Sequence, residues 1–301
     1  MEEIKEKLVS NRPTLSASSL KTYNSILTNL YKKVFPDTKL DLEKFNNSKK
    51  FLTFLKDVDG SKRKTYLSAL VVLCPTCDEY KDLMNKDGQE YNAKKKMQKK
   101  SEKEEANWVE QSELQTIYEN LENEAKACFK LKNPTSVDIQ RCQSYIILSV
   151  VSGKYIPIRR SLDWTEMKFR NYNKDVDNYL DDKRKNFVFN VYKTHKFLGD
   201  QTSPIPTPLK RIITNWLKLL QQVYPDTDYI FVDSRGNKLT PTKLTQRLNN
   251  VFGRKASINI LRHSFLSEKY KDMPSLEELQ NEATAMGHSL TEHIEYIRKD
   301  D

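Results

Sequence analysis

Apolar residues recur at helical spacing almost from the start of the chain. After Ser16, Ser18 and Ser19, which can supply an N-cap, Leu20, Tyr23, Ile26, Leu27, Leu30 and Tyr31 share one face of a predicted helix. A second helix carries Phe45, Phe51, Leu52, Phe54 and Leu55 and is expected to stop at Gly60. The run KRKTYLSALVVLC, Lys62 to Cys74, puts a basic, hydroxyl-bearing start before an apolar body. Such a helix can turn its first residues, Lys62, Arg63 and Lys64, toward phosphates while the remainder packs; a solvated helix start fits the same residues.

The pattern then breaks. YNAKKKMQKKSEKEEAN, from Tyr91 to Asn107, holds six lysines and three glutamates and almost nothing apolar to bury. This predicts a helical unit over 1–92, a basic linker over 93–107 and a second domain over 108–301. Such a linker is a solvated segment, or it tracks a nucleic-acid backbone through Lys94, Lys95 and Lys96. Beyond Trp108, helices are expected over Leu114 to Phe129, Val137 to Val151, Pro208 to Tyr224 and Lys243 to Phe252. Between them lie short strand-like runs at Glu166 to Phe169, Asn186 to Tyr192 and Tyr229 to Val232, the middle one alternating Phe187, Phe189, Val191. A mainly α protein with a small β-sheet, an α+β fold, follows.

Composition narrows the partners. The chain has 301 residues, enough for two cores, and its 51 Lys and Arg against 41 Asp and Glu leave a net charge of +10, which suits a phosphate-rich partner. No run of apolar residues is long enough to span a membrane and the first residues lack a secretory core, so an intracellular protein without membrane attachment is expected. Cys74 and Cys77 form one CxxC without a second pair or a nearby His, so they read as core thiols rather than a zinc site. No glycine-rich phosphate loop of the nucleotide-binding kinds is present.

Four clusters carry candidate chemistry. In IPIRRSLDW, Asp163 lies three residues after Arg160 and can hold that guanidinium in a fixed fork, leaving its outer nitrogens for a phosphate. The adjacent Arg159 is then expected to tolerate lysine almost silently. In YKTHK, Lys193 sits at the end of a strand run, on a hairpin tip from which it could deliver a proton; Lys196 is the alternative. In ASINILRHSFLSEKY, the stripe Ile258, Leu261, Phe265 turns Arg262 and Asn259 to one side of a helix, where a buried arginine needs an anion. In MGHSLTEHIEYIRK, Gly287 breaks a helix, His288 sits at the junction and Tyr296 follows on the next helix. A phenol with pKa near 10 attacks only if neighbouring cations stabilise the phenolate.

Taken in order, an arginine with a following acidic residue, a hairpin lysine, ILRHSF, MGHS and a tyrosine near the end resemble the tyrosine recombinase family. RPTLSASSLKTYNSIL and KTYLSALVVLC are similar to the helical core-binding domain of integrases from large DNA viruses and their mobile elements. The resemblance implies a core-binding domain that clamps duplex DNA, and a catalytic domain that cuts through a 3′-phosphotyrosyl intermediate. It makes Arg160 and Arg262 the phosphate-clamping arginines, Lys193 the general acid, His288 a donor to the phosphate, Tyr296 the nucleophile and Asp163 their support. It further implies neither metal nor cofactor, double-stranded DNA as partner, a homo-tetramer on synapsed duplexes, and the host nucleus or a viral factory if the element is viral.

Two departures stand out. Asn259 occupies the position where the family usually has His or Lys, and an amide cannot act as a base at neutral pH, which leaves His263 and His293 as nearby substitutes. The spacing from His288 to Tyr296 is also about one residue shorter than the family's common pattern. A type IB topoisomerase and a DNA-binding relative with impaired catalysis are the alternative readings.

Overall fold

The computed structural model describes residues 2–286, 289–291 and 294. Its backbone divides into two units, one gathering the described residues up to Lys99 with those from Pro274 on, the other spanning Lys100–Met273. The first unit is helical: α1 (Glu2–Asn11), α2 (Ala17–Val34), a 3-10 turn (Leu42–Asn46), α3 (Ser48–Leu55), α4 (Gly60–Leu73) and α5 (Asp78–Lys96). Ser16 caps α2 by accepting from Ser19 N. Leu27, Leu30, Tyr31, Phe45, Phe51, Leu67, Leu70 and Tyr80 meet in its core, where the Phe45 and Phe51 rings stack at 5.1 Å and Tyr80 Oη donates to Phe45 O at 2.7 Å.

Two expectations need correction here. Phe45 belongs to the separate 3-10 turn, and Gly60 opens α4 rather than ending the helix before it, because Asp59 accepts from Ser61 N and Lys62 N and so caps a new helix at that point. Cys74 is buried and Cys77 half-buried, both as free thiols.

The second unit runs α6 (Glu102–Glu105), α7 (Gln111–Cys128), α8 (Ser136–Val151), α9 (Ser161–Thr165), β1 (Met167–Lys168), β2 (Asn178–Leu180), β3 (Asn186–Phe189), α10 (His195–Leu198), β4 (Gln201–Pro204), α11 (Thr207–Val223), α12 (Pro241–Phe252) and α13 (Ile258–Lys269). The strands form one mixed sheet in the order β1-β2-β3-β4. β1 and β2 are parallel, β2 and β3 antiparallel, and β3 and β4 form a hairpin with Phe187 opposite Ser203 and Phe189 opposite Gln201. The fold is therefore α+β.

Side-chain alternation seats this sheet. Phe187 and Phe189 point inward and meet Trp164 edge-on at 5.0 and 5.5 Å. On α11, Leu209, Ile213, Trp216 and Leu220 form the buried stripe, and Trp216 Nε1 donates to Ile230 O at 2.9 Å. The expected strand at Tyr229 to Val232 makes only isolated bridges, Lys168 with Tyr229 and Val232 with Lys238. Val232 instead satisfies its backbone through the buried amide of Gln143 on α8, which donates to Val232 O at 2.9 Å and accepts from Val232 N at 2.8 Å.

The expected linker 93–107 holds the last turn of α5 and the four-residue α6. Past α13 the chain passes Pro274 into α14 (Leu276–Ala285), which groups with the first unit rather than with the rest of 108–301. There Leu276 N donates to Gln98 Oε1 at 2.9 Å, and Ser275 and Glu278 form a capping box. No helix among the described residues is long and apolar enough to cross a membrane.

Candidate active site

The site grows from the end of α8. Val151 closes that helix, Gly153 turns the chain at φ +84°, and buried Ile156 and Ile158 pin the segment that delivers two adjacent arginines to the start of α9. Gly153 is required there by contact as well as by its dihedral, because a Cβ would overlap the Phe265 ring of α13. The same close approach brings Arg262, one turn earlier on α13, to the arginine pair. Ser264 fixes that helix from behind, accepting from Gln111 Nε2 at 2.7 Å and donating to Val109 O.

The arginine that Asp163 holds is Arg159, which corrects the expected fork from Arg160. Arg159 Nε donates to Asp163 Oδ2 at 2.9 Å, four residues on, and its Nη1 donates to Gln201 Oε1 on β4 at 2.8 Å. Its guanidinium lies 3.8 Å from the centroid of Phe189 and 5.0 Å from that of Tyr192. Arg160 occupies the N-cap position of α9 in an extended backbone conformation, and its charge acts on Asp163 only behind that of Arg159. That side chain is half-buried and forms no hydrogen bond or ion pair with a described residue.

Asp163 is itself buried, and Oδ1 has no hydrogen-bond partner among the described residues. Burial raises its carboxyl above the ordinary value, opposed by Arg159 and then by Arg160. Burial first, and then the neighbouring charge of Arg160, push the Arg262 guanidinium below its ordinary value, with Asp163 opposing and Arg159 adding to the effect. Arg262 is half-buried and likewise forms no ion pair with a described residue. Of the three arginines whose charges bear on this site, only Arg159 bonds the Asp163 carboxylate, through Oδ2. Arg160 and Arg262 are left as a pair of partly desolvated cations that repel one another, and an anion between them would relieve the repulsion.

Lys193 follows Tyr192 in the connection between β3 and β4 and is exposed, its side chain without a hydrogen bond or ion pair to a described residue. That connection is firmly held at its base. Asn178 Oδ1 accepts from Asn190 N at 2.8 Å and Val191 N at 2.6 Å, and its Nδ2 donates to Asp163 O at 3.0 Å and Val191 O at 2.8 Å. Tyr192 Oη donates to Gly199 O at 2.5 Å. Lys196 lies on the adjoining α10, exposed, over the Phe197 ring. Asn259 is exposed on the first turn of α13, and His263 is exposed with Nε2 3.9 Å from Glu104 Oε1. His288, His293 and Tyr296 lie outside the described residues.

The other basic candidates belong to the first unit. Arg63 is committed internally, which corrects its expected place on a DNA-facing surface: Nη2 and Nε donate to the two oxygens of fully buried Asp87 at 2.6 and 2.8 Å, and Nη1 donates to Lys56 O at 3.1 Å. Lys62 and Lys64 stay available, their ammonium groups 5.9 Å from the Tyr66 ring and 5.0 Å from the Tyr91 ring. Lys94, Lys95 and Lys96 are exposed on the last turn of α5, and Lys94 is near enough to the start of α4 to lower the Asp59 carboxyl, behind the hydrogen bonds from Ser61 and Lys62 that dominate that shift. One end of the α4–α5 pair therefore gathers Lys62, Lys64 and the three lysines.

Sequence reasoning discounted Arg159 and did not single out Gln201 or Gly153. The i,i+4 spacing of Arg159 and Asp163 was visible, but the i,i+3 spacing of Arg160 was equally so, and only the hairpin packed against Arg159 separates them. No family model matches the sequence, and no curated protein matches it. Among solved structures the chain is similar to the crystal structure of XerA recombinase, at 15% identity and TM-score 0.37 over 100% of this chain and 94% of that chain. It is also similar to the crystal structure of a lambda integrase dimer bound to a COC′ core site, at 12% identity and TM-score 0.46 over 100% of this chain and 79% of that chain.

Proposed function

We propose that the chain is a site-specific DNA recombinase that breaks and rejoins double-stranded DNA through a 3′-phosphotyrosyl intermediate. The observation that supports this most is that Arg160 and Arg262, both half-buried and neither ion-paired with a described residue, lie near enough for the charge of one to push down the other, and they come from the two segments that the family resemblance matches to a phosphate clamp. In this reading the pair binds the non-bridging oxygens of the scissile phosphate. Both then stabilise the added charge of the phosphorane, which is where cations help most. Tyr296 Oη forms a bond to phosphorus as the bond to O5′ breaks, the phenol proton passes to solvent or a neighbouring base, and Lys193 gives a proton to the departing oxygen. His288 donates to the phosphate. The reverse steps, with the 5′ hydroxyl of another strand, reseal the DNA; the phosphotyrosyl bond retains the energy, so ligation consumes no nucleotide.

The first unit contributes Lys62, Lys64 and Lys94 to Lys96 as a phosphate-facing end, and strand exchange requires further copies of the chain on synapsed duplexes, in the simplest form a homo-tetramer. Asn259 bears on the rate: its amide orients a phosphate or a water but takes no proton at neutral pH, a feature that also suits a DNA-binding relative with impaired turnover. The deciding experiment uses the full chain with a pool of random-sequence duplexes nicked beside a potential cleavage site. A covalent adduct on a denaturing gel that vanishes in Tyr296→Phe, with DNA binding retained, is the expected result. Absence of any adduct, or an adduct mapped to another side chain, overturns the proposal. Formation of four-way junctions, rather than relaxation of supercoils alone, separates recombinase from topoisomerase.

A further inference from the structure

Arg159 was expected to tolerate lysine almost silently, yet its guanidinium is engaged at its edge and on its face. It has three attachments of different kinds, and each reaches a different place. The ion pair to Asp163 ties it to α9, the hydrogen bond to Gln201 ties it to β4, and the faces of Phe189 and Tyr192 tie it to the end of β3 and the residues just beyond. These anchors sit on both strands of the hairpin, at the level where the strands separate into the 190–200 connection. Tyr192, under the guanidinium, is buried, while its neighbour Lys193 projects from the same backbone into solvent. Arg160, next to Arg159 in sequence, is free to bind the phosphate. The two backbones that carry the clamp and the proton donor are therefore braced against each other through one planar side chain.

We propose that Arg159 is a positioning residue that couples the Arg160 segment to the β3–β4 hairpin and thereby sets where Lys193 presents its ammonium group. The inference rests on the recombinase reading of the site. Lysine at this position would keep the charge but lose the fork: a single ammonium cannot bond Asp163 and Gln201 at once and lie flat on Phe189. The hairpin would keep its strand pairing, since Asn178 and the β3–β4 ladder hold it independently. What would be lost is the register between Lys193 and the clamp, and small displacements of a proton donor are costly to the step it serves.

The proton is needed only because an alkoxide leaves poorly. A substrate with sulfur in the bridging 5′ position expels a thiolate that needs no proton, so it distinguishes a misplaced acid from a damaged clamp. The full-length protein and its Arg159→Lys, Gln201→Leu and Lys193→Ala variants are compared in single-turnover cleavage of a nicked duplex with oxygen or sulfur at that position. Gln201→Leu leaves the Arg159–Asp163 pair intact and guards against a variant that fails to fold. On the oxygen substrate Arg159→Lys and Gln201→Leu should each slow adduct formation, Arg159→Lys by roughly tenfold or more. On the sulfur substrate both should return to near the wild-type rate, as Lys193→Ala should. Arg159→Lys slow on both substrates, or normal on both, overturns the brace, as does a Lys193→Ala that sulfur does not rescue. A wild-type protein that forms no adduct on either substrate overturns the recombinase reading itself.

Discussion

Replacing Gly153 with alanine tests how the site is assembled. The residue has φ +84°, where a Cβ costs about 1–3 kcal/mol. The added methyl would also overlap the Phe265 ring, standing 2.5 Å from Cε2 and 3.0 Å from Cγ, and relief by moving the ring or backbone adds about 1–3 kcal/mol. The sum, about 2–6 kcal/mol, is a large part of the roughly 5–15 kcal/mol that stabilises a domain. All three tryptophans of the chain, Trp108, Trp164 and Trp216, belong to the unit containing Gly153, so urea unfolding followed by tryptophan fluorescence reports on that unit. Phe265→Leu in the same protein shortens the obstructing side chain but leaves the dihedral cost, so the double variant should be more stable than the sum of the singles by at least about 1 kcal/mol. Because Phe265 lies one turn beyond Arg262, the strain should also shift that arginine and slow adduct formation by about a hundredfold. A Gly153→Ala protein within about 0.5 kcal/mol of wild type, or strict additivity with Phe265→Leu, would refute the packing argument.

Three further outcomes are expected. Arg63→Ala strands the buried Asp87 carboxylate and should destabilise the first unit by about 3–5 kcal/mol, read by far-UV circular dichroism as an early transition with the tryptophan transition unmoved; a loss below about 1 kcal/mol contradicts the internal role of the pair. Arg160→Lys and Arg262→Lys should retain DNA binding while each slows cleavage by roughly tenfold or more, about 1.4 kcal/mol of transition-state stabilisation, and unchanged rates would remove them from the clamp. Changing Lys94, Lys95 and Lys96 to glutamine should flatten the plot of log affinity against log salt by up to about 0.9 for each phosphate no longer neutralised, whereas an unchanged slope returns that turn of α5 to solvent.

Much of this architecture was legible locally. The stripes on α2, α7, α8 and α11, the Ser16 cap and the alternation Phe187, Phe189 each depend on residues a few positions apart, so periodicity and capping chemistry sufficed to place them. β2 was missed because three residues carry no usable period, and what holds it is its pairing with β1 and β3 together with the buried amide of Asn178, whose partners are Asp163, Asn190 and Val191. Gly60 was misread because a glycine between two helices can end one or open the next; the capping carboxylate of Asp59 decides it. The candidate site divides in the same way. That IPIRRSLDW and ILRHSF act together was expected from the family resemblance, and the charge of Arg160 does bear on Arg262, but which of two adjacent arginines is spent internally was not legible. Arg159 and Arg160 have the same charge, reach and neighbours in sequence, and Asp163 stands within a helical turn of both. Likewise Arg63 looked no different from Lys62 and Lys64. In both cases the choice was made by groups distant along the chain, Phe189, Tyr192 and Gln201 for Arg159 and Asp87 for Arg63, because a guanidinium is held where packing brings its acceptors, and for Arg159 an aromatic face, within reach, and only the folded chain brings them there.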